Sequence, residues 1–286
     1  MIAITGAAGK LGRCVAKALL GVTSPSEVTL GTRNPGGIQE LAEHGFRTVL
    51  ADFDRRETLE AAFAGADVAF IICGDAPNHV RVVQHRNAID AARKAGVRRV
   101  VYTSFVNPHG QSRFPFALVH EDSETYLRES GLAYTLLRNN HYAENLGYPL
   151  MEALRTGTLS MLGAGGKVAY IGRADVAVAT AGALTQPGHE NRSYELTGSE
   201  ALDLFEVAEI ASRTWGRRIS AKDMSPAEYR EMLQARGLPA YLVEAQVGIR
   251  LAAEAGEYST VSSDAERLAG RPADTMAVYL RSLPRT

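Results

Sequence analysis

The segment Gly6-Ala7-Ala8-Gly9-Lys10-Leu11-Gly12 constrains this chain more than any other feature, because it follows a short apolar run at residues 2–5 and opens directly into a helical pattern. Its three glycines allow a tight turn, a close approach of backbone to a bound group, and close packing of a helix on a strand. A helix starting there aims unpaired N–H groups over the turn, which suits a phosphate. The GxxxxGK[ST] spacing of a P-loop is absent. The segment therefore reads as the pyrophosphate cradle of a dinucleotide site, with Gly6, Ala8, Gly9, Lys10, Leu11 and Gly12 as its contacts.

The pattern downstream agrees with that reading. β-rich runs at residues 27–32, 47–50, 67–72, 98–103 and 133–138 alternate with helical periodicities such as Leu11, Val15, Ala18 and Leu19, then Val82, Val83, Ala88, Ile89 and Ala92. Ala95-Gly96 and Ser130-Gly131 supply helix stops before the fifth and sixth runs. Six strands with five crossovers predict an α/β fold, a doubly wound parallel sheet of Rossmann type, over residues 1–140. Beyond Asn140 the alternation breaks down. Residues 157–171 read as a hairpin split by Gly163-Ala164-Gly165-Gly166, and helical patterns follow at residues 174–184, 204–214, 226–235 and 241–254. Residues 141–286 are expected to form a small C-terminal α/β substrate lobe, interleaved with the core.

Composition excludes several functions. With 31 basic and 32 acidic side chains the formal net charge is −1, so nothing favours nucleic acid or an anionic membrane as partner. Cys14 and Cys73 lack CxxC spacing, and the histidines at 44, 79, 85, 109, 120, 141 and 189 show neither HxxxH nor HExxH, so no metal site is expected. No apolar run approaches the ~18 residues of a membrane span, and the glycine-rich start lacks a signal region. The expectation is a complete, cytoplasmic chain in a reducing compartment, for which a homodimer is compatible.

Cofactor preference is readable at the end of the second run, where an acidic residue would bind the ribose hydroxyls of NAD. Gly31-Thr32-Arg33-Asn34 stands there instead. The guanidinium fork of Arg33 suits a 2′-phosphate, which favours NADP(H); stacking on adenine keeps NAD(H) open, as does a solvated loop arginine.

The GxxGxxG spacing, Tyr102-Thr103-Ser104, the run from His120 to Glu124, Tyr134-Thr135-Leu136-Leu137-Arg138-Asn139 with Tyr142, Glu144 and Asn145, and Arg173-Ala174-Asp175-Val176-Ala177 together resemble one group. It is the NmrA-like branch of the atypical short-chain dehydrogenase/reductases, and within it the type 2 NAD(P)H:quinone oxidoreductases and triphenylmethane reductases. The resemblance implies a Rossmann core with a small C-terminal lobe. It also implies Asp52-Phe53 at the adenine, and Cys73-Gly74 with Thr103 along the nicotinamide ribose. Cys73 reads equally as a small buried filler.

Typical members of the superfamily carry Tyr-x-x-x-Lys, with tyrosine as proton donor. None of the five lysines here, at 10, 17, 94, 167 and 222, follows a tyrosine by four. The corresponding helix has His120 and Glu124 on one face instead, a pair that the resemblance retains. Hydride addition to a quinone leaves a phenolate-type oxygen, with pKa near ~10, which needs little acid catalysis; an aliphatic ketone leaves an alkoxide, which needs a strong acid. His120 is the candidate proton relay, with an ordinary pKa of about 6.5, or else an exposed first-turn residue; Ser104 joins it as a catalytic candidate. Phe105, Val106, Phe114 and Phe116, with Asn140, His141 and Tyr142, are expected to line a cavity for a small planar aromatic, although Phe114 and Phe116 also suit a staple on the next helix.

The function expected is NAD(P)H-dependent hydride transfer to quinones or similar planar conjugated aromatics. Two alternatives stand beside it. One is a tailoring oxidoreductase or oxygenase acting on an aromatic polyketide quinone or hydroquinone; the other is a dinucleotide-sensing regulator without turnover.

Overall fold

Strands covered on both faces are buried along nearly their whole length and mainly apolar, and β1 (Ile2–Ile4), β2 (Val28–Thr32), β4 (Val68–Ile71) and β5 (Arg99–Phe105) follow that rule, with polar residues such as Thr32, Thr103 and Ser104 gathered at their carboxyl ends. The computed structural model describes residues 1–284. With β3 (Arg47–Leu50), β6 (Ala133–Asn139) and β8 (Arg192–Leu196) they form a seven-stranded parallel sheet in the order β3-β2-β1-β4-β5-β6-β8. The sheet thus has one strand more than the six expected. Alternate residues serve opposite faces. Ile4, Leu30, Phe70, Val101 and Leu137 pack with α1 (Lys10–Leu19) and α7 (Arg173–Thr185). Ala69, Ile71, Val100, Tyr102 and Leu136 pack with α3 (Arg56–Phe63), α4 (Asn78–Lys94) and α5 (Ala117–Glu129). A short helix, α2 (Gln39–Glu43), leads into β3.

The chain leaves β1 on one side towards β2 and reaches β4 only after three strands. That reversal opens a crevice between the carboxyl ends of β1 and β4, where ligands of open α/β sheets bind.

Residues after 140 split between two places. α7, β8 and α11 (Asp264–Ala269) return to the sheet. α6 (Gly147–Thr156), α8 (Leu204–Trp215), α9 (Pro226–Ala235), α10 (Ala240–Glu254) and α12 (Met276–Ser282) surround a second core built on two strands. Those strands, β7 (Thr158–Leu162) and β9 (Ser220–Met224), run parallel with Thr158 opposite Ser220, so the expected hairpin at residues 157–171 does not form. The reason lies in the glycines. A Cβ on Gly166 would lie 2.6 Å from the Ala253 carbonyl carbon, and one on Gly163 would lie 2.8 Å from the Arg250 carbonyl oxygen. The glycines admit the backbone of α10 rather than a reversal of direction. Arg250 fastens the contact by donating to the Leu162 and Gly163 carbonyls, each at 2.8 Å.

The loop after β5 joins the two cores. Ser112 Oγ donates to Glu257 Oε2 at 2.6 Å, Asn107 Nδ2 donates to the Glu257 carbonyl, and the Arg113 carbonyl lies where a side chain on Gly248 would otherwise be. Among the described residues no helix is long and apolar enough to cross a membrane, and no group of three or more His, Cys, Asp or Glu side chains could hold a metal.

Candidate active site

The glycine turn sits at the carboxyl end of β1. Gly6 adopts φ +67°, a conformation that side chains disfavour. A Cβ on Gly12 would lie 2.4 Å from the Gly6 carbonyl oxygen and 2.7 Å from Ala7 Cα, so helix and turn touch backbone to backbone there. Gly9 differs. It precedes α1 in extended conformation without a side-chain cap, no acidic residue follows in the first turn, and an added Cβ would meet only the Gly6 carbonyl, at 3.1 Å. Gly12 thus serves packing and Gly9 serves access to the first-turn N–H groups.

Two hollows meet at this turn. One, of about 280 Å³, is bounded by Gly6, Ala8, Thr32, Arg33, Asp52 and Phe53. The other, of about 530 Å³, takes in Lys10, Leu11, Gly12, Thr103 and Ser104 and continues to the aromatic loop. Gly9, Ile72, Cys73, Gly74 and Asp75 belong to both, so the hollows form one trough. Arg33 is exposed and makes no hydrogen bond or ion pair among the described residues. Thr103 Oγ1 accepts the Cys73 N–H at 2.7 Å and ties the ends of β4 and β5.

The rings of Phe105, Phe114 and Phe116 form one wall of the larger hollow, with Phe105 to Phe114 centroids at 5.0 Å and Phe114 to Phe116 at 5.4 Å. Phe114 also packs into the second core, so cavity wall and staple are one role there. Val106 is a correction: at 4% exposure it is packed into that core, with its N–H on the Asn139 carbonyl, because side chains alternate along the strand end. Asn140, His141 and Tyr142 do reach the wall. Asn140 Nδ2 donates to the Tyr258 carbonyl at 3.0 Å, and Tyr142 Oη accepts from Asn139 Nδ2 at 3.0 Å. Burial, with Arg250 nearby, pushes the His141 pKa down to about 3, and burial pushes Tyr142 up to about 12.

His141 Nε2 and Asn139 Oδ1 are buried without a partner. Orphaned polar atoms are costly unless a ligand completes them, and a carboxamide, which both donates and accepts, suits the pair. With the glycine cradle, these residues fit a nicotinamide dinucleotide. Gly6, Gly9 and the first turn of α1 would hold its phosphates, and the Cys73-Gly74 segment would pass between its two ends.

His120 is not exposed. Only 6% of it is accessible, and burial, followed by the charges of Arg81 and His85, drives its pKa well below the usual range, so the imidazole is neutral. The proton's place follows from its bonds. The Gly74 N–H donates to His85 Nε2 at 3.4 Å, so His85 carries its proton on Nδ1 and donates it to Ser123 Oγ at 2.9 Å, while Ser123 donates to the Val119 carbonyl at 2.7 Å. Tyr102 Oη lies 3.2 Å from the Nδ1 atoms of both histidines and can give its proton only to that of His120. His120 therefore holds its proton on Nε2, the nitrogen left for the cavity. Behind it stands Tyr102, whose burial pushes its pKa well up. The chain of bonds has no ready source of a second proton, and the relay expected of an ordinary histidine is replaced by a neutral hydrogen-bond donor.

Ser104 is committed as well. Its Oγ donates to Glu124 Oε1 at 2.6 Å, beside Arg138 Nη2 at 2.7 Å and Arg128 Nη2 at 2.8 Å on Oε2. Burial alone would raise the Glu124 pKa, but Arg138, Ser104 and Arg128 outweigh it and keep the carboxylate ionised. Sequence reasoning missed Arg81, His85, Tyr102 and Asn139. A signal existed for two of them: Arg81 and His85 fall in register with Ala88, Ile89 and Ala92, on the apolar face of α4.

A parallel sheet with a glycine cradle at its switch point and an aromatic cavity beyond defines a nicotinamide-dinucleotide protein. Residues 6–187 match the NAD(P)H-binding family, and the chain belongs to that family. It is 34% identical over 277 residues to quinone oxidoreductase 2 of Escherichia coli K12, covering 97% of this chain and 96% of the relative. The structure of that protein complexed with NADPH superposes with a TM-score of 0.93 over 98% of each chain. Triphenylmethane reductase of Citrobacter sp. is 31% identical with a TM-score of 0.92, covering 100% of this chain and 99% of that one. An NAD(P)H azoreductase of Xenophilus azovorans is 27% identical over 282 residues, 99% of this chain and 97% of its own.

Two outcomes follow from this geometry. Gly9→Val is expected to stay folded by circular dichroism yet lose NADPH binding by cofactor fluorescence, whereas Gly12→Ala, which meets backbone, loses about 1–3 kcal/mol of stability. Normal NADPH affinity in Gly9→Val would move the phosphates elsewhere.

Stability is also expected to fall with acid. His85, held at about 3 by burial and Arg81, joins His120 and His141 as a neutral group in the fold that binds a proton near pH ~6.5 once unfolded. The unfolded state gains protons as pH drops, so stability declines by roughly 4 kcal/mol per pH unit below pH ~6, three groups at ~1.4 each. Urea unfolding at stepped pH measures the slope, which His85→Gln should reduce by about a third. Flat stability between pH ~7 and ~5 would contradict the assignment of three neutral imidazoles.

Proposed function

We propose that this chain catalyses hydride transfer from NADPH to quinones and similar flat, conjugated aromatics. The observation that carries the reading is the cavity of about 530 Å³, walled by Phe105, Phe114 and Phe116 and continuous with the dinucleotide trough, in which the nearby protons are spoken for. When bound, the cofactor supplies a hydride with both its electrons. The phenylalanine wall orients a flat acceptor and excludes water, which contributes mainly through proximity. His120 offers one neutral N–H towards the acceptor oxygen. A phenolate-like oxygen, with pKa near ~10, needs no more and takes its proton from water later, while an alkoxide finds no acid. The names of the relatives support this: a quinone, an azo compound and a triphenylmethane dye are all conjugated acceptors. An aromatic polyketide quinone meets the same demand. A reducing, cytoplasmic setting goes with the two free thiols, Cys14 and Cys73.

NADPH is the preferred cofactor on account of Arg33, which is free to meet a 2′-phosphate. Arg33→Ala should weaken NADPH by roughly 1.5–3 kcal/mol in calorimetric titration and leave NADH unchanged. Equal affinity of the unmutated protein for both cofactors would refute it.

The acceptor class is tested by stopped-flow oxidation of bound NADPH. Quinones should react rapidly and aliphatic ketones poorly, and the quinone rate should show no inflection near pH ~6.5 because His120 is already neutral. Fast reduction of a ketone to a secondary alcohol would overturn the acceptor argument. No oxidation by any conjugated acceptor would overturn turnover itself and leave dinucleotide sensing.

A further inference from the structure

Arg81 occupies the opening turn of α4 and is 3% exposed, yet among the described residues no carboxylate lies within ion-pair distance of it. Its Nη2 donates to Cys73 Sγ, its guanidinium carbon stands 4.4 Å from the centre of the Phe116 ring, and its Nε is buried without a partner. The other buried arginines are treated differently. Arg99 donates to Thr135 Oγ1 and to the Ala183 and Leu184 carbonyls, and Arg250 donates to two carbonyls and Tyr170 Oη. A buried cation held by a thiol and a ring face, with no oxygen on its fork, is electrostatically incomplete. The same guanidinium lines the 530 Å³ cavity beside Phe105, Phe116 and His120. Its charge is felt there, since Arg81 is among the causes that hold His120 neutral.

We propose that Arg81 is the catalytic cation that receives the negative charge developing on the acceptor oxygen, and that it makes the cavity selective for acceptors and inhibitors bearing an anionic oxygen. The inference rests on the reading of the chain as a quinone-type reductase. In the step, one hydrogen and two electrons leave the dihydronicotinamide, which becomes the oxidised cofactor. The bond formed to the acceptor places one net negative charge on its oxygen. No proton is delivered at that moment, because Ser104 is committed to Glu124 and the chain behind His120 ends in buried Tyr102. The fixed positive charge of Arg81 offsets the new negative one in a medium where such pairing is strong, and water protonates the oxygen on release.

The test separates binding from turnover. With NADP⁺ bound, para-nitrophenol should bind in its ionised, coloured form, and its apparent pKa should be lower than in buffer. Arg81→Gln should weaken that binding at least tenfold and abolish the colour shift; Arg81→Lys, which keeps the charge, should restore most of both, with NADP⁺ affinity unchanged in each. The quinone kcat should fall about 10²-fold or more in Arg81→Gln, the loss typical of one oxyanion donor. Nitrophenolate binding that is equal in the wild type and Arg81→Gln, or no better in Arg81→Lys than in Arg81→Gln, overturns the proposal even where quinones are reduced. A wild type that binds nitrophenolate through Arg81 but oxidises no NADPH with any quinone overturns the reductase reading and upholds the anion site.

Discussion

Everything in the trough depends on the contact between α1 and the turn before it. Because Gly12 has no side chain, the start of the helix lies against the carbonyl of Gly6 and the Cα of Ala7, and the first-turn N–H groups are fixed over the crevice between β1 and β4. A single methyl at that position would lift the helix and move the cradle away from Cys73-Gly74, where the two hollows join. The positions of the adenine end, the aromatic cavity and the residues between them are all measured from this one approach.

Burial then decides the chemistry. Three imidazoles, two tyrosines and a guanidinium are withdrawn from water around one cavity, and desolvation pushes every one of the imidazoles to its neutral form. The carboxylate that might have balanced the cation, Glu124, is consumed by Arg138 and Arg128 on the far side of Ser104. Asp75 lines the cavity too, but no carboxylate among the described residues lies within ion-pair distance of Arg81, so that positive charge is left unpaired. That is an arrangement for receiving an anion rather than for donating a proton.

The sequence made the first half of the fold legible because parallel strands covered on both sides need mainly apolar runs, and the glycine turn is a local signal that no tertiary contact has to complete. β8 escaped notice because it is an edge strand, with Arg192 and Ser193 exposed and burial confined mainly to Tyr194 and Leu196. β9, Ser-Ala-Lys-Asp-Met, has no apolar face to read, and its partner β7 is far away in sequence, so the glycines at 163–166 suggested a hairpin in its place. The placement of Arg33 and of the phenylalanines beyond strand ends could be read from the sequence, and that of His120 from the helix that carries Tyr-x-x-x-Lys in typical superfamily members. Arg81 and His85 showed in the sequence only as polar residues on the apolar face of α4, and with Tyr102 of β5 they acquire a joint role only when packed against α5. The charge state of His120 was out of reach for the same reason: a helical histidine reads as an ordinary base until its burial is known.

Losing the tyrosine and lysine of the superfamily is therefore more than a missing acid. A tyrosine donor serves acceptors whose reduced oxygen is a strong base, and its lysine exists to lower the donor's pKa. In this chain the residues around the acceptor conserve their protons, and the compensating interaction is electrostatic: a neutral N–H from His120 and the guanidinium of Arg81, which no carboxylate pairs. Such a site discriminates by the acidity of the product. An acceptor whose reduced form spreads its charge over a conjugated ring is stabilised by a fixed cation without proton transfer, whereas one that localises charge on an alkoxide gains too little to offset the absent acid. The breadth of conjugated acceptors among the relatives and the exclusion of simple ketones proposed for this chain follow from one cause, the placement of positive charge where a proton donor would otherwise stand.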